Sequence, residues 1–337
     1  MGDQEHGLID ENFGYRWCGF IGSHMVRMLA ELNHAVVTFD DLSSGFRDAV
    51  LHGEFLQGSL HDKSALSALF GAHQFDAVVH FAGSIVVSES VREPAKYYQN
   101  NLVGAMNLFD AMRMHGVQNL VFSSTAAIFG APQYVPIDEA HPQAPINPYG
   151  MTKWVTEQIL RDYDVAYGLR SIALRYFNAA GASPDAVLGE RHDPETHLIP
   201  LALRAATGEI PELIVFGTDY DTPDGTCIRD YIHIVDLCDA HMLALQHLTN
   251  GGGSRAYNLG NGQGYSVKEV IQVAEQISGK RIPVKYGPRR AGDPPRLVAN
   301  ASKIHKDWGW SPRFPKLEQI IEHAWRWEEK KLKKANH

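Results

Sequence analysis

Cysteine is scarce. Three occur in 337 residues, at Cys18, Cys227 and Cys238, and no two share a C-x-x-C spacing. That excludes a disulfide framework and a cysteine zinc site; the thiols read as reduced, and no metal is expected. There is no apolar run near the roughly 18 residues a membrane span requires. The opening stretch MGDQEHGLIDE lacks the apolar core of a signal peptide, so a cytoplasmic chain is expected. Positive charge is also in deficit: 31 Lys and Arg against 39 Asp and Glu leave a formal net charge of -8. No nucleic-acid partner is expected, because a phosphate backbone calls for a basic surface. A few arginines can still hold one small anion locally. The run Glu328–Lys334 (EEKKLKK) reads as a solvated helix end.

What the chain has is a strand–helix alternation. Ala35–Asp40, Phe75–Ala82, Asn119–Ser124 and Ser171–Tyr176 are short and almost uniformly apolar, as strands buried on both faces should be. Helix-length segments separate them: Ser23–Leu32, Lys63–Phe70, Tyr97–His115 and Tyr149–Tyr167. This pattern predicts an α/β fold, a doubly wound parallel sheet of Rossmann type with ligands at the C-terminal strand ends. Beyond about residue 180, glycine- and proline-rich loops take over (181–194, 217–225, 251–253), which predicts a smaller C-terminal lobe. The expected division is an anomalous segment 1–18, a nucleotide-binding domain 19–180, and a lobe 181–337 whose chain crosses back to the core.

Asp40 ends a strand-like run about twenty residues past Gly22, where a dinucleotide fold places the acid for the adenosine ribose. A carboxylate repels a 2′-phosphate, so NAD is favoured over NADP. The glycine loop agrees only in part. Gly19-Phe20-Ile21-Gly22 supplies two glycines of a G-x-x-G-x-x-G turn, but Arg16 and Trp17 stand where two more belong. Large side chains there block the close backbone approach to a pyrophosphate. Asp10–Cys18 (DENFGYRWC) also does not read as a buried parallel strand. One hypothesis repairs everything at once. If these residues are encoded gat gaa aat ttt ggt tac cgg tgg tgc, a one-base shift reads Met-Lys-Ile-Leu-Val-Thr-Gly-Gly-Ala and runs straight into Gly19. The alternative is a divergent, NAD-deficient segment. Sequencing the source DNA separates the two.

Tyr149-Gly-Met-Thr-Lys153 is a Y-x-x-x-K element at the start of a helix, with residues four apart on one face. The spacing predicts that the Lys153 ammonium lowers the Tyr149 pKa from about 10, making a phenolate base available. Ser123-Ser124-Thr125, at an upstream strand end, offers a hydroxyl to the same substrate oxygen. His80 and His233 lie in apolar contexts and read as structural.

These segments together resemble the extended short-chain dehydrogenase/reductases, and among them the UDP-sugar 4-epimerases. The likeness is carried by Gly19–His24, His80–Gly83, Glu89–Val91, Tyr97–Asn101, Ser123–Gly130, Asn147–Gly150, Arg175–Asn178, Gly225–His233, Tyr257–Gly260 and Arg289–Asp293. It spans essentially everything after residue 18. The resemblance implies that Tyr149 is the base for the sugar 4-hydroxyl, that Lys153 tunes it, and that Thr125 bridges to substrate. It implies NAD as cofactor, held by Gly19, Phe20, Ile21, Gly22, Asp40, Asp41, Ser43, Ser59, Leu60, Phe81, Ala82, Gly83, Asn100, Ser123, Tyr149, Lys153 and Tyr176. A lysine common in the family two residues after Gly83 is replaced by Ile85. For the UDP-sugar it implies Thr125, Asn178, His197, Leu198, Phe216, Arg229, Arg290 and Asp293. Leu297 borders the sugar 2-substituent, and its size leaves room for an N-acetyl group. A homodimer through Tyr97–His115 and Trp154–Tyr167 is a further family expectation. A 4,6-dehydratase needs a carboxylate pair after the strand-end Thr, and this chain has Ala126-Ala127. Alternatives are an epimerase for UDP-N-acetylhexosamines or UDP-glucuronate, or a cofactor-deficient sugar-nucleotide-binding protein.

Overall fold

The computed structural model of the protein describes residues 11–15, 18–290 and 293–335. Its strands in chain order are β1 (Glu11–Tyr15), β2 (Ala35–Asp40), β3 (Glu54–Gln57), β4 (Ala77–His80), β5 (Asn119–Thr125), β6 (Arg170–Tyr176) and β7 (Asn178–Ala180). They continue with β8 (Leu213–Phe216), β9 (Ile228–His233), β10 (Arg255–Leu259), β11 (Gly264–Ser266), β12 (Val284–Gly287) and β13 (Arg296–Leu297). The α-helices are α1 (Phe20–Glu31), α2 (Lys63–Ala72), α3 (Val87–Arg92), α4 (Pro94–Tyr97), α5 (Gly104–Met114) and α6 (Pro148–Tyr167). After these come α7 (Leu198–Thr207), α8 (Ile234–Thr249), α9 (Val267–Ser278), α10 (Ser302–Trp308) and α11 (Leu317–Ala335).

A seven-stranded sheet runs in the order β3-β2-β1-β4-β5-β6-β10, with every pairing parallel. Side chains alternate between its faces, as the pleat requires. Val36, Val79 and Val121 join the core under α1 and α8, while Val37, Val78, Leu120 and Phe122 join the one under α2, α5 and α6. Both faces are therefore apolar, which explains the unbroken hydrophobic runs. The order reverses between β1 and β4, and a crevice for a ligand opens at such a switch point.

Two expectations change. Residues 11–15 do form a parallel strand, with Tyr15 opposite Phe39 on one side and His80 on the other. The slot between β2 and β4 presents two rows of backbone N–H and C=O groups that need partners whatever the side chains are. Arg16 and Trp17 lie outside the described residues. The expected helix Tyr97–His115 is interrupted: α4 stops at Tyr97, a π-helical turn spans Tyr98–Val103, and α5 resumes at Gly104.

After β6 the chain leaves the sheet to build β7, α7, β8 and β9. It returns through α8 and edge strand β10, then leaves again. In the smaller lobe β9 pairs with β11, β13 and β7, and β8 pairs with β12. Its core gathers Leu203, Val215, Tyr231, Val270 and Ile320.

Candidate active site

Two local features carry Tyr149 to the end of β5. Asn147 caps α6 by accepting from the Gly150 backbone at 2.8 Å, and Pro148 supplies the first-turn φ. Gly150 then packs tightly on the loop after β5: a Cβ there would meet the Ala127 carbonyl oxygen at 2.5 Å. Only glycine admits that approach, which brings Tyr149 against Thr125. Both side chains are buried.

Lys153 follows one turn later. Its Nζ donates to the Ser123 carbonyl at 2.8 Å and lies 4.9 Å from the centre of the Phe122 ring. The sequence reading had Lys153 lowering the Tyr149 pKa, and this structure differs. Burial pushes the phenol above its ordinary value, and the hydroxyl of Thr125 is what pulls against that rise. The physical reason is that removing a phenolate from water is costly, while Lys153 directs its charge toward the Ser123 carbonyl.

The proposed NAD residues sit at successive C-terminal strand ends: Asp40 closing β2, Phe81-Ala82-Gly83 after β4, Ser123 on β5 and Tyr176 closing β6. The N-terminus of α1 begins at Gly19 with no side-chain cap, leaving first-turn N–H groups for a phosphate. A Cβ on Gly83, at φ 155°, would meet Asn101 Oδ1 at 3.2 Å and Lys153 Nζ at 3.5 Å. An uncapped helix end, a ribose-type acid and a narrow glycine floor at one switch point fit a dinucleotide. Asp40 is partly committed, since its carboxylate accepts from the Leu42 backbone at 2.7 Å and the Cys18 backbone at 3.1 Å. Asp41 Oδ1 accepts from the Ser43 backbone at 2.9 Å, which shapes the turn after β2. Leu60 is buried with Ser59 half-buried beside it, and Ile85 is exposed. Asn100 donates to Ser84 Oγ at 3.0 Å.

In the lobe, β9 aligns several of the proposed substrate residues. Arg229 lies opposite Leu297 of β13, and Asn178 lies opposite Tyr231 two positions along. Asn178 donates to the Asp230 carbonyl at 2.8 Å. Arg229 and Asp293, both expected to hold the UDP-sugar, are paired with each other, and Arg229 also donates to the Pro294 carbonyl at 2.9 Å. Half-buried opposite charges within reach pair because neither is well left alone. Arg290 stacks on Phe216 with its guanidinium 4.0 Å from the ring centre. Arg290 and Asp293 line an open cleft of about 460 Å³ with Tyr220, Ile146 and Pro294. Leu297 packs against the buried cluster of Ala126, Ile128, Phe129 and Ile137, as Trp154 and Phe177 do, joining this lobe to the loop after Thr125. His197 caps no helix through its side chain, and instead binds Glu190 and Glu195. Leu198 begins α7 beside it.

Sequence reading missed a buried group beneath the catalytic elements. Glu157 Oε1 accepts from Ser124 Oγ at 2.5 Å, and Arg175 closes on the same carboxylate with Nη2 to Oε2 at 2.5 Å. The signal was present, since Glu157 lies one turn beyond Lys153 on the same helix face. His233 is structural: its Nδ1 accepts from the Val235 backbone at 3.1 Å, and its Nε2 lies 2.9 Å from His323. All three cysteines are buried and free. Among the described residues no helix is long and apolar enough to cross a membrane.

Comparison with known proteins agrees with this geometry. The model of the NAD dependent epimerase/dehydratase family matches residues 18–260. UDP-glucose 4-epimerase of Azospirillum brasilense is 50% identical over 311 residues, covering 92% of this chain and 89% of that protein. The crystal structure of UDP-glucose 4-epimerase from Brucella ovis in complex with NAD superposes with a TM-score of 0.92 at 48% identity, covering 94% and 98% of the two chains. The UDP-Glc/GlcNAc 4-epimerase of Campylobacter jejuni gives a TM-score of 0.83 at 42% identity, covering 95% and 99%. The chain belongs to the NAD dependent epimerase/dehydratase family, among the UDP-glucose 4-epimerases.

Proposed function

We propose that the protein interconverts UDP-galactose and UDP-glucose by oxidising and re-reducing the sugar at C4, with Tyr149 as base. The observation that carries this reading is the convergence of Tyr149, Thr125 and Lys153 at the C-terminal end of β5, next to the strand that borders the switch point of the parallel sheet. NAD, when bound, would supply the acceptor and donor for the C4 hydride, held by the residues at the strand ends named above. Tyr149 removes the 4-hydroxyl proton and gives it back to the reformed alcohol. Thr125 shares a hydrogen bond with the same oxygen and holds it in reach. Lys153, anchored on Ser123, contributes the positive field near the cofactor ribose. Burial keeps water from the 4-keto intermediate. Asn178, His197, Leu198, Phe216, Arg229, Arg290 and Asp293 hold the nucleotide, whose diphosphate suits guanidinium groups.

Leu297 supports acceptance of UDP-N-acetylhexosamines as well, since a branched aliphatic side chain leaves space that an aromatic one fills. A cytoplasmic homodimer completes the proposal. Support for the dimer comes from exposed apolar side chains on the two helical segments expected at its interface: Tyr98, Val103 and Met106 on one, and Val165 and Tyr167 on the other.

The test is incubation of purified protein with UDP-galactose, with and without added NAD, following UDP-glucose. Turnover that is present or restored with NAD supports the proposal. No turnover in either arm, with folded protein, rejects it.

A further inference from the structure

Just ahead of α7 the chain folds four potential metal ligands into one cluster: Glu190, His192, Glu195 and His197. We propose that this cluster binds a divalent transition-metal ion, zinc first, through two imidazole nitrogens and two carboxylate oxygens.

The distances carry the argument. Zinc binds imidazole nitrogen at about 2.0–2.1 Å and carboxylate oxygen at about 2.0–2.2 Å, so neighbouring ligand atoms of a tetrahedral site lie roughly 3.3–3.5 Å apart. His197 Nδ1 lies 3.0 Å from Glu190 Oε1 and 2.9 Å from Glu195 Oε1. His192 Nδ1 lies 3.4 Å from Glu190 Oε1 and 3.4 Å from Glu195 Oε2. Each ring nitrogen thus lies at or just inside a metal-bound edge length from both carboxylates, with the two rings meeting different oxygens of Glu195, and one ligand atom from each of the four residues lies within 4.8 Å of the others.

The cluster also has more acceptors than donors. The same nitrogen on each ring faces both carboxylates, yet a neutral imidazole has a single N–H to offer. The carboxylate side chains are almost wholly withdrawn from water, Glu195 at 1% exposure and Glu190 at 6%. Arg204 offsets part of their charge at 3.9 Å from Glu195, but it is shared with Glu209 at 3.6 Å. A divalent ion at the centre satisfies the remaining negative charge and converts each facing Nδ1 into a lone-pair donor.

Ligand chemistry narrows the ion. Two imidazoles with two carboxylates suit zinc and its transition-metal neighbours, whereas calcium and magnesium prefer more oxygen ligands. The backbone N–H groups of Thr196 and His197 donate to Glu195 Oε1 at 2.9 and 3.0 Å and fix the carboxylate's direction. Metal on Nδ1 leaves the proton of His197 on Nε2, so the outer edge of that ring remains a hydrogen-bond donor. The ion would tie the segment before α7 into one closed loop.

The test uses the full chain, stripped with chelator and titrated with zinc by calorimetry, with metal analysis after gel filtration. The expected result is one zinc per chain, with affinity at least about tenfold weaker in both His192→Ala and His192→Gln. Cobalt(II) in place of zinc should give the intense visible bands of four-coordinate geometry in the parent and not in either variant. His192 is chosen because its side chain is partly exposed, which protects folding; two variants of different polarity guard the comparison. Zinc lost on gel filtration overturns the proposal. Equal zinc affinity in parent and variants overturns it as well.

Discussion

Lys153 and Ser123 are joined by a 2.8 Å hydrogen bond from the lysine Nζ to the serine carbonyl. The bond ties α6, which carries Tyr149, to β5, which carries Thr125. It also orients the ammonium toward the strand end, leaving the phenol to be tuned by burial and by Thr125.

Replacing Tyr149 with Phe removes the proton-transfer group while keeping the ring in its buried site. Turnover of UDP-galactose should fall by roughly 10²–10⁴-fold, the usual contribution of a positioned general base. NAD content, read as nicotinamide released on denaturation, should be unchanged. Near-parental turnover would remove Tyr149 from the mechanism.

Glu157→Gln leaves Arg175 buried without a full counter-charge beneath the site. Breaking a buried pair from one side costs about 3–5 kcal/mol, so chemical unfolding should show a loss of that order. A change within error would mean that the pair's desolvation cancels its attraction.

Acid should destabilise the fold through buried histidines. Burial lowers His24 and His241 from 6.5 to about 4 in the folded protein. Both are neutral in the fold, so the unfolded chain takes up protons first. Their stabilisation is complete above pH 6.5 and is lost as pH falls from there toward 4. Each contributes a slope of up to about 1.4 kcal/mol per pH unit in that window. Unfolding free energies measured across it should fall; a flat profile contradicts the assignment.

Leu297→Tyr should cut turnover of UDP-N-acetylgalactosamine while sparing UDP-galactose. The parent should turn over both. Activity on UDP-galactose with none detectable on the N-acetylated sugar rejects the assignment of Leu297.

Arg16 and Trp17 stand where the nucleotide turn calls for glycine. The double replacement R16G/W17G should raise the NAD retained after gel filtration and the turnover measured without added cofactor. Equal retention in parent and variant would show that the turn tolerates large side chains. Sequencing the source DNA across Asp10–Cys18 tests the frame-shift explanation directly.

Much of the core was legible because parallel strands covered on both faces have an unmistakable texture. Ala35–Asp40 was read with its observed ends, and Lys63–Phe70 falls short by only two residues. Asp10–Cys18 was misread because side-chain character was allowed to decide a strand that backbone pairing with β2 and β4 supplies. The π turn at Tyr98–Val103 leaves no mark in an apolar periodicity that continues through it.

By itself the sequence determined the class of chemistry. A tyrosine and a lysine four apart, a strand-end hydroxyl and an acid at the end of β2 are local signals, because one helix turn or one strand end is enough to bring each group to its place. Tertiary structure decided how charges are shared. Arg229 with Asp293, Glu157 with Arg175, and the Glu190–His197 cluster all depend on which segments touch and how much water their contact excludes, quantities that no local spacing encodes.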